Sequence, residues 1–352
     1  MFGSPDGTVT IEVVMQDAGE PRNFEPQDSE PQFSVPELPE PRLSEPRASE
    51  PARLSRSEAY DAETVAALKA FQAASGLTVD GIIGQNTIAA FNSGNTETRI
   101  QRLVYSMERL RWMPRDFGAK HVLVNTAGYQ TWVIEDGETI WSSKVIVGKP
   151  QHQTVFFSDE MDHVVFNPYW GVPGSIIVNE MVPDSGGDPS WFDREGYEIT
   201  DLNGQVISPY SVDWYNLDPK KLQFGVRQPP GPKNALGEIK FMFPNKHSIY
   251  MHDTPSKPLF NRDSRAFSHG CVRVEDPWGF AEIVLGWDRE RVASTRATTR
   301  NHTVSLERKI PVHIAYFTAW PDENGNIRYH EDVYGRDRLL EQAVGKLTVA
   351  MR

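Results

Sequence analysis

A single cysteine stands among 352 residues, so the chain can form no internal disulfide and cysteine usage does not reveal its redox compartment. No apolar run reaches the roughly eighteen residues that a transmembrane helix requires. His-x-x-x-His and Cys-x-x-Cys spacings are both missing, which argues against a metal site. Gly-x-Gly-x-x-Gly and Walker loops are missing too, so no nucleotide cofactor is implied. Nor does a basic patch or stripe stand out, which argues against nucleic acid as a partner. The formal charge is −12, and residues 1–50 carry −8 of it through eleven acids and three bases. His121, His163, His247 and His313 read as surface or satisfied core groups.

What is present begins with a repeat. Pro21, Pro26, Pro31, Pro36, Pro41, Pro46 and Pro51 recur every five residues, each preceded by glutamate except Pro36, which follows Val35. Proline fixes φ and removes a donor, and the charges repel one another, so residues 1–56 read as a disordered, partly polyproline-like tail. It is either a passive spacer or a docking motif for a proline-reading partner. Residues 57–114 read as a small helical module. Asp61 caps a first helix with Val65, Leu68 and Phe71 on one face, a turn-rich Gly76–Gly84 follows, and a second helix carries Thr87, Ile88 and Phe91. A third carries Ile100, Leu103, Val104, Met107 and Leu110 as a core face and stops before Pro114.

From about residue 119 the pattern alternates. His121–Asn125, Tyr129–Glu135 and Thr139–Val147 read as strands, with Asp136-Gly137 as a tight hairpin turn. Glu238–Phe243, Ser248–Met251 and Ile310–Phe317 read as further strands, and Asn324-Gly325 as another turn. Between Gly171 and Pro232 the alternation fails, and Trp191, Trp214 and several prolines cluster in what reads as a long irregular segment.

The lone thiol sits in Ser268-His269-Gly270-Cys271-Val272-Arg273, nineteen positions after His252 of Tyr250-Met251-His252-Asp253-Thr254. A single cysteine is commonly a small buried apolar residue. Here it follows a glycine and precedes a helix announced by Asp276 as cap, Pro277 as first residue and Gly286 as stop. A thiol at such a turn, with an imidazole in the same stretch of chain, has the parts of a nucleophile with its own base. His252 is the candidate base and His269 its rival.

Taken together, Asn234-Ala-Leu-Gly237, Lys240-Phe-Met-Phe-Pro-Asn245, Met251-His-Asp-Thr-Pro255, Leu259-Phe260 and Ser268-His-Gly-Cys-Val-Arg273 resemble the L,D-transpeptidase family. Phe71-Gln72, Gly76-Leu77 and Asp80–Gly84 likewise resemble a peptidoglycan-binding domain. The likeness runs from about residue 60 to about residue 338 and is greatest to the large branch with a lid in its catalytic domain. It implies an α+β chain: a small three-helix peptidoglycan-binding-like domain over 57–114, then a mostly antiparallel β-sandwich catalytic domain over 119–338. Residues 171–232 would be a capping lid and 339–352 a C-terminal tail.

By that resemblance Cys271 is the nucleophile and His252 the general base, with the backbone carbonyl of Asp253 orienting its ring. The Gly270 and Cys271 amides and His269 would form the oxyanion pocket. Arg273, Tyr250, Asn234, Trp170 and Ser268 are substrate-binding candidates; Tyr250, Asn234 and Trp170 are also readable as packing, and Arg273 as a structural salt-bridge partner. The partners implied are peptidoglycan stem peptides, a tetrapeptide donor and an acceptor stem amine, with carbapenem-type inhibitors expected to react. Three readings stay open: a transpeptidase, an L,D-carboxypeptidase or endopeptidase using the same cysteine, and a non-catalytic wall-binding protein. The family's work places the chain in the periplasm. Because Met1–Glu20 lacks the basic start and apolar core of a signal peptide, a true start elsewhere is expected.

Overall fold

The structure, a computed structural model, describes residues 61–92 and 96–350; the proline repeat lies outside the described residues. Three helices lead: α1 (Ala62–Ala74), α2 (Gln85–Asn92) and α3 (Thr96–Arg111). Asp61 caps α1 by accepting from the Thr64 amide at 2.8 Å, and the Phe71 and Phe91 rings stack at 4.0 Å to join α1 to α2.

The third helix departs from expectation. Ile100, Val104, Met107 and Leu110 are exposed, while Tyr105, Ser106 and Arg109 are buried. Polar bonds decide the face. Arg109 pairs with Asp337 in a buried ion pair, Ser106 Oγ accepts from the Ala319 amide at 3.0 Å, and Arg102 donates to the His330 carbonyl at 3.0 Å. These partners all lie in the C-terminal part of the chain, so α3 docks on the β-rich region.

Strands β1 (Lys120–Asn125), β2 (Gln130–Glu135), β3 (Glu138–Gly148) and β4 (Phe157–Phe166) come next. Asp136 and Gly137 take φ of 51° and 86°, the paired left-handed conformation of a tight hairpin turn. An insertion then supplies β5 (Trp170–Gly171), α4 (Gly174–Ile176), a π-helical turn (Ile177–Met181), α5 (Val182–Ser185), α6 (Ser190–Arg194), β6 (Glu198–Thr200), β7 (Val206–Ile207) and β8 (Gly225–Gln228). After it follow β9 (Ile239–Met242), β10 (Met251–His252), β11 (Ala266–Ser268), β12 (Val272–Val274), α7 (Pro277–Leu285), α8 (Arg289–Ala297), β13 (His302–Ala315), β14 (Ala319–Pro321), β15 (Ile327–Tyr329) and α9 (Arg336–Ala350). The segment read as a tail from residue 339 is thus the body of α9.

Where a sandwich of two sheets was expected, one mixed sheet curls into a barrel. Its order is β11-β3-β12-β10-β9-β4-β13-β1-β2, and a further β2–β3 pairing closes it. The eleven residues of β3 make this possible: Glu138–Lys144 pair with β2, and Val145–Gly148 with β12 and β11. Most pairings are antiparallel; β1–β13, β10–β12 and β3–β11 are parallel. Val122, Val133, Val145, Val164, Phe241, Met251, Val272 and Phe280 fill the interior.

The segment expected to be irregular is ordered. Its four strands run β5-β8-β6-β7, and Val172, Ile177, Met181, Phe192, Ile199, Trp214 and Val226 form a core of its own. Removing such side chains from water, at roughly 1.5–3 kcal/mol for each large one, is what holds the segment together.

Candidate active site

The register of three strands assembles the site. β10 pairs with β12 as Met251↔Val272 and His252↔Arg273, and with β9 as His252↔Lys240. Side chains opposite one another share a face, so Lys240, His252 and Arg273 form a row across the barrel wall. Alternate residues of a strand also share a face, which adds Tyr250 and Cys271 to that side. Ser248–Met251 was expected to be strand throughout, but Ser248 takes φ of 55° and only Met251–His252 pairs. Asn245 fixes that turn by donating to the carbonyls of Phe243 and Ile249 at 2.6 and 2.7 Å.

Cys271 is partly exposed, just before β12. Its thiol donates to the Ser248 carbonyl at 3.6 Å, and the Tyr250 side chain hydrogen-bonds the same sulfur. Burial pushes the thiol above its ordinary value; Tyr250, Arg273 and Lys240 pull the other way and lose. Tyr250 is itself pushed up, first by burial and then by the neighbouring Cys271, and takes a hydrogen bond from Trp170. Both groups are therefore neutral near pH 7.

His252 is buried, and its Nδ1–H donates to the Asp253 carbonyl at 2.5 Å. Burial, then Arg273, lowers its pKa to about 3 against the opposing carbonyls of Asp253 and Leu236. Burial thus favours the neutral form of both thiol and imidazole. The carboxylate of Asp253 serves another purpose. Its Oδ2 accepts from the Glu238 amide at 3.0 Å and its Oδ1 pairs with Lys257 at 2.7 Å. A cavity of about 440 Å³ lies beside it, lined by Glu238, Asp253, Lys257, Trp278 and Arg296 rather than by the thiol.

The loop bearing the thiol is tied from within. Gly270 takes φ of 116°, a region that L side chains rarely adopt. Its amide donates to Ser268 Oγ at 3.1 Å, and Ser268 Oγ donates to the Cys271 carbonyl at 2.5 Å. The expected oxyanion donor Gly270 is therefore already engaged, and Ser268 is a buried loop brace. Thr154 Oγ1 holds the Gly270 carbonyl at 2.8 Å.

His269 does not turn to the sulfur; its Nε2 meets Glu180 of the insertion at 2.7 and 3.0 Å. Asn234 also departs from expectation. It is buried, and its amide donates to the carbonyls of Pro168, Gln228 and Pro229 at 2.9, 3.2 and 3.0 Å. Its Oδ1 accepts from the Leu236 amide at 2.9 Å, so it ties the two ends of the insertion together. Arg273 is half-buried, and among the described residues its buried Nε has no hydrogen-bond partner and its guanidinium no paired carboxylate. Sequence reasoning missed Lys240, which stands over the Tyr250 ring at 5.8 Å, and Glu180. A lysine interrupting a β strand was the available signal for the first; nothing local marked the second.

Residues 119–314 match the YkuD family, the L,D-transpeptidase catalytic domain, and the chain belongs to that family. Residues 52–91 match a peptidoglycan binding domain, a match that ends before α3. The chain is similar to a Haemophilus influenzae protein described as "Putative L,D-transpeptidase", 38% identical over 246 residues, covering 69% of this chain and 49% of that protein. It thus spans about half the length of that relative. Among solved structures, an L,D-transpeptidase from Mycobacterium smegmatis matches at 13% identity and a TM-score of 0.26, covering 56% of this chain and 58% of that one. L,D-transpeptidase 3 from Mycobacterium tuberculosis, solved with a faropenem-derived adduct, matches at 12% and 0.28, covering 56% and 60%.

Proposed function

We propose that the chain is an L,D-transpeptidase that forms 3→3 cross-links in peptidoglycan outside the cytoplasm, in the periplasm. Cys271 attacks the carbonyl of the third residue of a tetrapeptide donor stem. The thiol proton passes to His252 Nε2, left free by the Nδ1 bond to Asp253. The tetrahedral intermediate collapses, the proton goes to the departing D-alanine amine, and an acyl-enzyme thioester remains. The side-chain amine of an acceptor stem then attacks the thioester, gives up its proton and releases the thiol.

Because burial favours the neutral thiol and the neutral imidazole, the proton is passed to His252 as the sulfur attacks. With the Gly270 amide engaged, the Cys271 amide is left as the backbone donor to the oxyanion. Arg273 has the charge to take a stem carboxylate, and Tyr250 and Trp170 line the approach. The observation that carries this reading is the thiol's place on one face with His252 and with Lys240 and Arg273, two cations that favour its ionisation.

Purified protein incubated with a disaccharide-tetrapeptide, followed by mass spectrometry beside a Cys271→Ala control, tests it. Cross-linked dimer from the wild type alone is expected, as is a covalent carbapenem adduct on Cys271. Free D-alanine with only tripeptide product would move the assignment to a carboxypeptidase, and no turnover with no adduct to a wall-binding protein. The helical module is proposed to bind glycan strands, which pelleting of the protein with purified sacculi checks.

A further inference from the structure

Three side chains from separate parts of the chain converge beside the thiol loop. His152 ends the short 3₁₀ turn after β3, Glu180 projects from the π-helical turn of the insertion, and His269 lies two residues before Cys271. The His152 and His269 rings stand 5.1 Å apart, and one ligand atom from each of the three residues lies within 4.8 Å of the other two. Both histidines are exposed and Glu180 is half-buried, so an aqueous ion can reach all three. π-Helical turns are rare and are frequently found at functional sites; this one presents Glu180.

We propose that His152, Glu180 and His269 form a site for a divalent transition ion, zinc in the first instance, which fastens the insertion to the loop that carries the thiol. Two imidazole nitrogens and one carboxylate suit zinc, with a fourth position left for water. Tetrahedral zinc with bonds of about 2.0–2.2 Å sets its ligand atoms roughly 3.4 Å apart. The existing contact of 2.7 Å between His269 and Glu180 and the 4.8 Å limit for the set bracket that spacing, so small side-chain rotations complete the geometry.

Lys149 is the competitor. Its Nζ lies 3.9 Å from Glu180, and its ammonium must swing into solvent when the ion arrives. The donors come from three segments distant in sequence, which is why no ligand spacing announced them. Since the insertion has its own core, fixing Glu180 fixes the segment as a unit, and metal occupancy holds it against the approach to Cys271. The site stands whichever reaction the thiol performs.

The test uses the full chain with Cys271→Ser, so that the thiol cannot ligate, titrated with zinc chloride in a calorimeter. One zinc per chain is expected. His152→Ala and Glu180→Gln should each weaken binding at least about tenfold while leaving the metal-free melting temperature unchanged, and Lys149→Met should tighten it. Zinc should also slow proteolysis within residues 171–232, and not in the His152→Ala chain. Absence of binding up to about 1 mM zinc, or binding that survives both substitutions, overturns the proposal. So does loss of binding caused by Cys271→Ser itself, seen against the wild-type chain.

Discussion

Tyr250 stands opposite Cys271: the pairing of Met251 with Val272, carried back one residue, brings the two together, and the phenol hydrogen-bonds the sulfur. The nearest aid to thiol ionisation is thus a tyrosine, one of three groups that oppose the effect of burial. Tyr250→Phe removes that bond and should move the thiol's pKa further up, slowing iodoacetamide alkylation at a fixed pH several-fold. An apparent pKa that stays put or falls would show the hydroxyl to be a bystander.

In the wild-type chain alkylation of Cys271 should be slow at pH 7 and still climbing past pH 9, the ordinary thiol value, because burial favours the neutral form. The full rate–pH profile measures it. A half-maximal rate below about pH 8 would mean a stabilised thiolate and would remove the neutral resting pair.

Acid should destabilise the fold through two imidazoles, the buried His252 and the half-buried His330. His252 is lowered to about 3 and His330 to about 4, both chiefly by burial, from the ordinary 6.5. Below about pH 6.5 the unfolded chain takes up protons that the folded chain refuses until near pH 4 and pH 3, so their stability contribution is complete above 6.5 and drains away on acidification through that window. Denaturant midpoints recorded from pH 7 to pH 4 should fall, and His330→Gln should flatten the fall. An unchanged slope in that variant would count against the assignment for His330.

Asn234→Ala should cost about 2–4 kcal/mol in urea unfolding, because it strands the Leu236 amide and three carbonyls that the side chain now satisfies. Asn234→Asp should cost as much or more, since a carboxylate would face those three carbonyls. A loss below about 1 kcal/mol would mean that water replaces the amide readily.

Arg109→Met should cost about 3–5 kcal/mol, leaving Asp337 buried beside Thr318 with no cation. Arg109→Met combined with Asp337→Leu should recover most of that loss, because the desolvated charge is then gone. If the double variant were as unstable as the single, packing rather than charge would hold α3 in place.

Elements specified by a few neighbouring residues could be read from sequence. The Asp136-Gly137 turn needs only two residues that tolerate positive φ, and α7 has its cap, its proline and its terminal glycine within eleven positions. Elements specified by distant partners could not. The spacing of Ile100, Val104 and Met107 marks an apolar stripe, but Arg109 and Ser106 found buried partners more than two hundred residues away and turned the helix. Closure of the sheet depended on β3 serving two neighbours, and a strand's length does not name its partners. At the site, Cys271, His252 and Arg273 were legible from one motif and its spacing, whereas Glu180 reaches His269 from 89 positions away. Asn234 read as a substrate-binding or packing residue, whereas its side chain bonds the backbone on both sides of the insertion, because an amide is equally suited to a substrate and to a chain crossing.

That crossing has a bearing on how such a chain can change. Pro168 lies before the insertion, Gln228 and Pro229 close it, and one side chain joins both sides. The conformational entropy of bringing the ends together is met at this knot, and doubling the enclosed length would add only about 0.6 kcal/mol. With its ends fixed and its core self-contained, the enclosed segment is built so that changes in its length, away from Glu180 and its contact with His269, pass little strain to the barrel.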